Sequence, residues 1–491
     1  MNITLLEPPR KPAPERSNDI ANTTLSSCLN SGYAAAVLEQ AGHHVRIIEA
    51  YMEGMDWGDI ERNISWNPPE ILGIHLVYNW EDNHDLYRFL KKIKQEFGTP
   101  YIVAYGYYPT FDAREILNTC PWIDYILCGE IERTFVDLAE RPDDPEFVQG
   151  LAYRDEFAKK GVRLSSGKIV EDLDSLPFPV RSASSMPGGE ANILGSRGCY
   201  GNCTFCYINP YYGIFGANGT PVGRWRPRSP QNIAAEIDQI IADTGIRYFY
   251  FTDPNFYGPG KKGRTRVIEL AKLLEERNIQ FGIEARANDI EPESIAALKK
   301  AGLKDILVGL ESGRDESLAR LGKKTSVKDN ENALRILRDA GIEPSVGFIM
   351  FEPDSTLGDL QVNFEFLKRN HLLDHLETAV NVLYHHQIIL AGSPSYQELR
   401  DQGKLILSDH SEYEAETRYE NPLTAAMAET MRQITNHVFE YMKETWQLSA
   451  QGDPETKEVY ARISAILTDA FGEAMEILDH KGTAALENSG F

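Results

Sequence analysis

Apolar and polar positions along the first 140 residues separate into short apolar runs and amphipathic segments. The runs occupy residues 3–6, 44–50, 71–78, 101–105 and 125–128. Between them lie segments such as 82–97, where Leu86, Phe89, Leu90 and Ile93 recur at helical spacing. Five strands interleaved with helices predict a parallel, doubly wound α/β sheet over residues 1–140. A ligand of such a sheet sits outside the carboxyl ends of the strands, and for a flavodoxin-like order this switch point lies between the first and third strands. Here it is framed by Glu7-Pro8-Pro9 and Tyr78-Asn79-Trp80.

Residues 141–188 carry no periodicity and include the run DSLPFP at 174–179, whose prolines fix backbone angles, so this stretch is expected to be an ordered linker. A second alternating region spans 189–404, with strand-like runs at 192–195, 247–252, 280–285, 305–310, 345–351 and 378–384. The helix after Ser229 illustrates the intervening pattern. Ser229 can cap, Pro230 suits the first helical position, and Ile233, Ile237, Ile240 and Ile241 share one face before Gly245 ends it. Six such units predict a partial TIM-type (β/α)6 barrel with its chemistry at the carboxyl ends of the strands. From 405 the strand signal gives way to long helical patterns at 423–446 and 454–477, so residues 405–491 are expected to form a C-terminal helical domain.

Composition narrows the class. At 491 residues, 42% hydrophobic and 25% charged, the chain is an ordinary globular protein and neither disordered nor fibrous. The 73 acidic against 50 basic side chains give a net charge of -23, which argues against a nucleic-acid partner. No apolar run reaches the roughly 18 residues of a membrane helix, and the first residues lack the basic and apolar parts of a signal peptide. A cytoplasmic location without a membrane partner is therefore expected.

Three of the six cysteines fall together, Cys199, Cys203 and Cys206 in RGCYGNCTFCYINP. A structural zinc site wants four cysteine or histidine ligands. All eleven histidines lie at or before His84 or at or after His371, leaving none near the triplet in sequence; a distant fourth ligand remains the zinc alternative. Three thiolates suit an iron–sulfur cluster with one iron open to a small molecule.

The C-x3-C-x2-C triplet after the first barrel strand, with Phe205 before its third cysteine, resembles the radical S-adenosylmethionine superfamily. The resemblance implies that the cysteines hold a [4Fe-4S] cluster whose fourth iron is chelated by the amino and carboxylate groups of S-adenosylmethionine (SAM). It also implies SAM contacts elsewhere. Asp253 and Asn255, in YFTDPNF, fall where the methionine amino group is held, although the family's Gly-Gly-Glu is absent in that form. Glu284 and Arg286 end the third strand, where an arginine fork suits a carboxylate. Gly309 and Glu311, in VGLESG, resemble the strand beside adenine and ribose; GFIMFEPD at 347–354 departs from the family's Gly-x-Pro-Gly.

The amino-terminal sheet resembles the Rossmann-like cobalamin-binding domain that precedes this barrel in one branch of the superfamily. The matching residues are Gly106, Tyr107 and Tyr108 after the fourth strand and Gly129, Glu130 and Glu132 after the fifth. Pro8 and Tyr78, Asn79 and Trp80 frame the switch point. The Asp-x-His-x-x-Gly loop that supplies a histidine to cobalt elsewhere is missing after the first strand, which implies cobalt without a histidine ligand. Two weaker signals remain: the aromatic segment 207–225 is a possible cover for the cofactor, and His385-His386 could place one imidazole toward substrate.

The resemblance implies a cobalamin-dependent radical SAM methyltransferase acting on an unactivated carbon, or phosphorus, of a small molecule or peptide. One SAM methylates cobalamin, and a second is cleaved reductively to start radical chemistry, with electrons from a donor such as flavodoxin or ferredoxin. The alternatives are a cyclase or rearrangement enzyme with the same cofactors, a methylthiotransferase, and a non-catalytic cobalamin sensor. The sensor leaves the three cysteines unexplained.

Overall fold

The structure is a computed structural model that describes residues 1–9, 28–77, 84–158, 161–165, 167–181, 189–213, 222–407, 413–450 and 452–483. Its first sheet contains β1 (Asn2–Glu7), β2 (His44–Glu49), β3 (Ile71–His75), β4 (Tyr101–Tyr105), β5 (Tyr125–Leu127), β6 (Leu151–Arg154) and β7 (Val162–Leu164). The order is β2-β1-β3-β4-β5-β6-β7, so the first five strands have the expected flavodoxin-like arrangement. Successive side chains leave opposite faces: Leu6, Leu72, Ile102 and Ile126 enter one core, and Leu5, Ile71, Val103 and Leu127 the other. Burying each such side chain contributes roughly 1.5–3 kcal/mol, which is why the runs of the central strands β3 and β4 read as almost wholly apolar, whereas the edge strand β2 carries His44, Arg46 and Glu49. Strands β6 and β7, both antiparallel, extend this sheet from the stretch read as irregular linker.

The second half opens with β8 (Glu190–Ile193), β9 (Ser196–Cys199) and β10 (Arg224–Pro227). It continues through β11 (Tyr248–Phe251), β12 (Gln280–Arg286), β13 (Leu303–Glu311) and β14 (Ser345–Phe348). Strands β8, β11, β12, β13 and β14 form one parallel sheet in that order, while β9 and β10 pair as a separate antiparallel ribbon. The partial barrel is as expected, but its sixth run is not a strand. Residues Leu376–Val382 are helical, and Leu376, Ala379, Val380 and Leu383 are buried at i, i+3, i+4 and i+7. A short apolar run fits either period, and here the helical face won. What remains of a sixth strand is one parallel bridge between Phe351 and His386.

β15 (Ile389–Leu390), β16 (Leu405–Leu407) and β17 (Glu414–Thr417) form a small antiparallel sheet where helix alone was expected after 405. The helices Pro422–Ala450 and Pro454–Lys481 follow. They pack on the barrel flank: Phe471 stacks on Phe364 with ring centroids 4.9 Å apart, and Ser464 donates to the Leu373 carbonyl at 2.7 Å. Among the described residues, no helix is long and apolar enough to cross a membrane.

Candidate active site

β9 delivers Cys199 to the mouth of the barrel, and the loop to Cys206 is fastened from several sides. Asn209 accepts from the Cys199 amide at 3.3 Å and donates to the Gly201 carbonyl at 2.8 Å. The Thr204 amide donates to Leu321 O at 2.9 Å, and the Ser395 amide donates to Thr204 O at 2.8 Å. All three cysteines are free thiols. Burial raises the Cys199 thiol and pushes Cys206 up to about 12, so bound iron must supply the positive charge that ionises them. N–H groups already aim at two sulfurs, Gly201 N at 3.3 Å from Cys199 Sγ and Arg286 Nη1 at 3.5 Å from Cys203 Sγ. Three thiols with such donors fit a cluster that leaves one iron open. Phe205 is half-buried within this loop.

The residues expected to hold SAM divide into two groups. Arg286 reaches Cys203, lies over the Tyr200 ring at 5.3 Å, and donates to the Lys323 carbonyl. Lys323 in turn sets Nζ 2.6 Å from Glu311 Oε1. Glu311 ends β13 with φ of 64°, a conformation costly for a side chain with a Cβ. A Cβ on Gly309 would fall 2.6 Å from both Glu311 Oε1 and Lys323 Nζ, so glycine leaves room for this ion pair. Glu284 lies half-buried on β12 with its carboxylate 3.4 Å from the Tyr250 hydroxyl. Burial, and then the nearby Asp253 charge, push it up to about 7. Thus Arg286 stands beside the cysteines and is tied through Lys323 to Glu311, while Glu284 lies two residues before Arg286 on the same strand.

Asp253 and Asn255 are turned elsewhere. Asp253 is fully buried and accepts from Gly195 N at 2.8 Å and Ser196 Oγ at 2.5 Å. Asn255 accepts from Gly258 N at 2.6 Å and donates to Asp289 at 2.9 Å. Their expected role as SAM acceptors is corrected: both anchor the start of the cluster strand and the turn after β11. Sequence reasoning missed Lys323, which only its 5% exposure separates from the chain's many surface lysines. His385 is half-buried near the same end of the barrel as Glu311, its carbonyl accepting from Met350 N at 2.9 Å. Burial lowers the pKa of that imidazole, against the opposing charge of Glu311.

On the amino-terminal sheet, Tyr78, Asn79 and Trp80 lie outside the described residues. Pro8, Pro9, Val77 and Tyr107 are half-buried around the carboxyl ends of β1, β3 and β4, and their flat or apolar side chains suit the faces of a corrin. Gly106, at φ 116°, lets β4 approach β3: a Cβ there would lie 2.4 Å from Leu76 O. Tyr107 packs its ring on Tyr207 and Tyr211 with centroids 4.9 and 4.4 Å apart. The aromatic segment around Tyr207 therefore meets the first sheet; residues 214–221 of it are outside the described set.

Four other residues expected at cobalamin are committed to the protein itself. Tyr108 is buried against Tyr413 at 5.3 Å, and a Cβ on Gly129 would meet Tyr211 O at 2.7 Å. Glu130 pairs with Arg226 and accepts from Val170 N at 2.5 Å. Glu132 pairs with Arg197 at 2.5 Å, and all four of these charged groups are buried. Glu130 and Glu132 are thus corrected from cofactor contacts to links between the first sheet and the β9–β10 ribbon.

Residues 193–367 match the model of the radical SAM superfamily, and residues 29–139 match that of the B12 binding domain. The chain carries a radical SAM domain preceded by a B12-binding domain. These domains imply a [4Fe-4S] cluster, SAM and cobalamin as cofactors. Among curated proteins, this radical SAM chain is 24% identical over 380 residues to an uncharacterized methyltransferase of Pyrococcus horikoshii, covering 75% of this chain and 78% of that one. It is 26% identical over 368 residues to the anaerobic magnesium-protoporphyrin IX monomethyl ester cyclase of Cereibacter sphaeroides, covering 68% of this chain but only 53% of the cyclase. Among solved structures it is similar to the cobalamin-dependent SAM radical enzyme OxsB with aqua-cobalamin and SAM bound. The TM-score is 0.77 at 20% identity, covering 97% of this chain and 72% of that one.

Proposed function

We propose that this protein is a cobalamin-dependent radical SAM methyltransferase, moving a methyl group from SAM to an unactivated carbon or phosphorus of a small molecule or peptide. The observation that carries the reading is the contact of Tyr107 with Tyr207, because Tyr207 directly follows Cys206. It sets the carboxyl end of β4, next to β3 in the B12-binding sheet, beside the cluster loop, so that both cofactors would serve one cavity. Methyl transfer to an unactivated centre needs both a one-electron reductant for SAM and a methyl carrier, which the cluster and cobalamin supply when bound.

The chain's own residues would do the rest. Cys199, Cys203 and Cys206 would ligate iron, with Gly201 N and Arg286 donating onto sulfur. Glu311, braced by Lys323, and Glu284 would accept from hydroxyl or amino groups of SAM. Pro8 and Tyr107 would border the corrin. An electron donor such as flavodoxin or ferredoxin and a cytoplasmic setting complete the proposal.

The experiment is anaerobic reconstitution with iron, sulfide and hydroxocobalamin, followed by metal analysis and incubation with SAM labelled in its methyl group. About four iron and one cobalt per chain, with SAM cleavage lost in Cys203→Ala, are expected. Label appearing in a product then establishes methylation. SAM cleavage with product formed and no label transferred would instead favour the cyclase reading, which the similarity to the magnesium-protoporphyrin enzyme raises. Undiminished cleavage in Cys203→Ala would overturn the assignment.

A further inference from the structure

A second set of metal-binding side chains sits in the first sheet, away from the cysteine triplet. Glu7 closes β1, His75 closes β3, and Cys28 immediately precedes the helix Leu29–Gln40 that packs beside them. One ligand atom from each residue lies within 4.8 Å of those of the other two. Glu7 and His75 are buried and Cys28 is half-buried.

Two hydrogen-bonded arrangements could explain such a trio, and the geometry favours neither. A nucleophile relay places the thiol on one imidazole nitrogen and the carboxylate on the other. Here both approach the same atom: His75 Nδ1 is 2.9 Å from Glu7 Oε2 and 3.2 Å from Cys28 Sγ, whereas Nε2 is 3.9 Å from that sulfur. A buried structural ion pair would need only Glu7 and His75, and leaves the thiol's convergence on Nδ1 without a purpose. One N–H cannot point well at two acceptors, but three donor atoms around a common point are the arrangement a cation requires.

The surroundings hold the donor atoms in place. Ser31 donates to the other Glu7 oxygen and lies 2.7 Å from the Tyr105 hydroxyl. The Tyr105 ring stacks on His75, with centroids 5.3 Å apart. Outer groups that fix the orientation of a carboxylate and an imidazole are what metal ligands commonly have.

We propose that Glu7, Cys28 and His75 bind one divalent transition-metal ion, zinc by the chemistry of the donors. A thiolate and an imidazole exclude magnesium and calcium, which take oxygen, while a mixed S, N, O set suits zinc. Binding displaces the Cys28 proton, and the proton that His75 Nδ1 holds toward Glu7, to solvent and leaves a fourth position for water or another small ligand. The site is separate from the cluster cysteines and does not depend on the methyltransferase reading.

The test uses the full-length holoenzyme purified from zinc-supplemented cells, with iron, cobalt and zinc measured together. About one zinc per chain is expected, and zinc K-edge absorption should show one sulfur at about 2.3 Å with nitrogen and oxygen at about 2.0–2.2 Å. Cys28→Ser and His75→Gln should each lower zinc by on the order of tenfold or more while iron and cobalt stay at wild-type content, which separates ligand loss from misfolding. The proposal is overturned by zinc below about a tenth per chain in the wild type, or by a shell of two or more sulfurs, which would place zinc on the cluster cysteines. Wild-type zinc in both variants would overturn it equally. The absorption spectrum decides the question even if a variant does not fold, and missing cobalt or iron would count against the cofactor reading alone.

Discussion

Arg286 holds a guanidinium N–H 3.5 Å from the sulfur of Cys203 while its other arm is fixed on the Lys323 carbonyl. A donor on a cluster thiolate stabilises the more negative, reduced state. Arg286→Gln should therefore shift the cluster potential downward. With a donor of fixed potential a smaller share of the cluster is then reduced, so SAM cleavage should fall by on the order of tenfold, equivalent to about 1.4 kcal/mol in the reduction equilibrium. A redox titration followed by electron paramagnetic resonance, beside the cleavage rate, checks this; an unchanged potential would remove Arg286 from any tuning role.

The Glu311–Lys323 pair is buried, and Glu311 adopts its left-handed backbone conformation beside it. Lys323→Met leaves the carboxylate without its cation and should destabilise the protein by about 3–5 kcal/mol. Thermal unfolding of the variant, with iron content as a control, measures it. Arginine at 323 should not restore the wild type, because its fork is too large for the space that Gly309 leaves.

Burial raises the carboxyls of Asp253 and Glu284 to about 6 and about 7, from ordinary values of 3.8 and 4.5. Between the ordinary and the raised values, the folded chain holds more protons than the unfolded chain. Their contribution to stability therefore falls as pH rises from about 4 to 7, and the cost is complete above that range. Glu284→Gln removes one of the two groups. Relative to wild type, the variant should gain thermal stability at pH 8 and gain none at pH 4, as paired melts of cofactor-free protein would show. An equal offset at both pH values would mean that Glu284 does not titrate in this window.

Arg197 and Arg226 meet Glu132 and Glu130 in a buried interface between the first sheet and the β9–β10 ribbon. Glu132→Gln leaves Arg197 only the more distant Glu130 carboxylate, at 3.7 Å, and should cost up to about 3–5 kcal/mol. Hydrogen exchange in β9 should rise with it, because that strand is held through Arg197. If protection in β9 were unaltered, the pair would not couple the two halves.

Much of this arrangement was readable from residue order. Apolar runs defined the parallel strands, nearly unbroken in the central β3 and β4, since a sheet covered on both faces leaves no polar alternation, and interrupted by Arg46 in the edge strand β2. The cysteine spacing located the cluster loop without any knowledge of its surroundings. Other features depended on distant partners. Glu130 and Glu132 looked like cofactor contacts because nothing local indicates Arg226 and Arg197, 96 and 65 residues further on. The run at 378–384 fits either period until its buried neighbours are known, and helical packing of Leu376, Ala379, Val380 and Leu383 decided against a strand. Asp253 and Asn255 were correctly identified as polar groups at a strand end, but only three-dimensional proximity to Gly195 and Gly258 shows that they bond inward.

The four buried charges also constrain how such proteins can be recombined. A B12-binding domain grafted from one relative onto the barrel of another brings its own side chains to the position of Glu130 and Glu132. If these are not acidic, two guanidinium groups are left unpaired in a buried interface, and the chimera loses stability before either cofactor is bound. Exchange across this boundary therefore requires the acidic and basic halves of the contact to travel together.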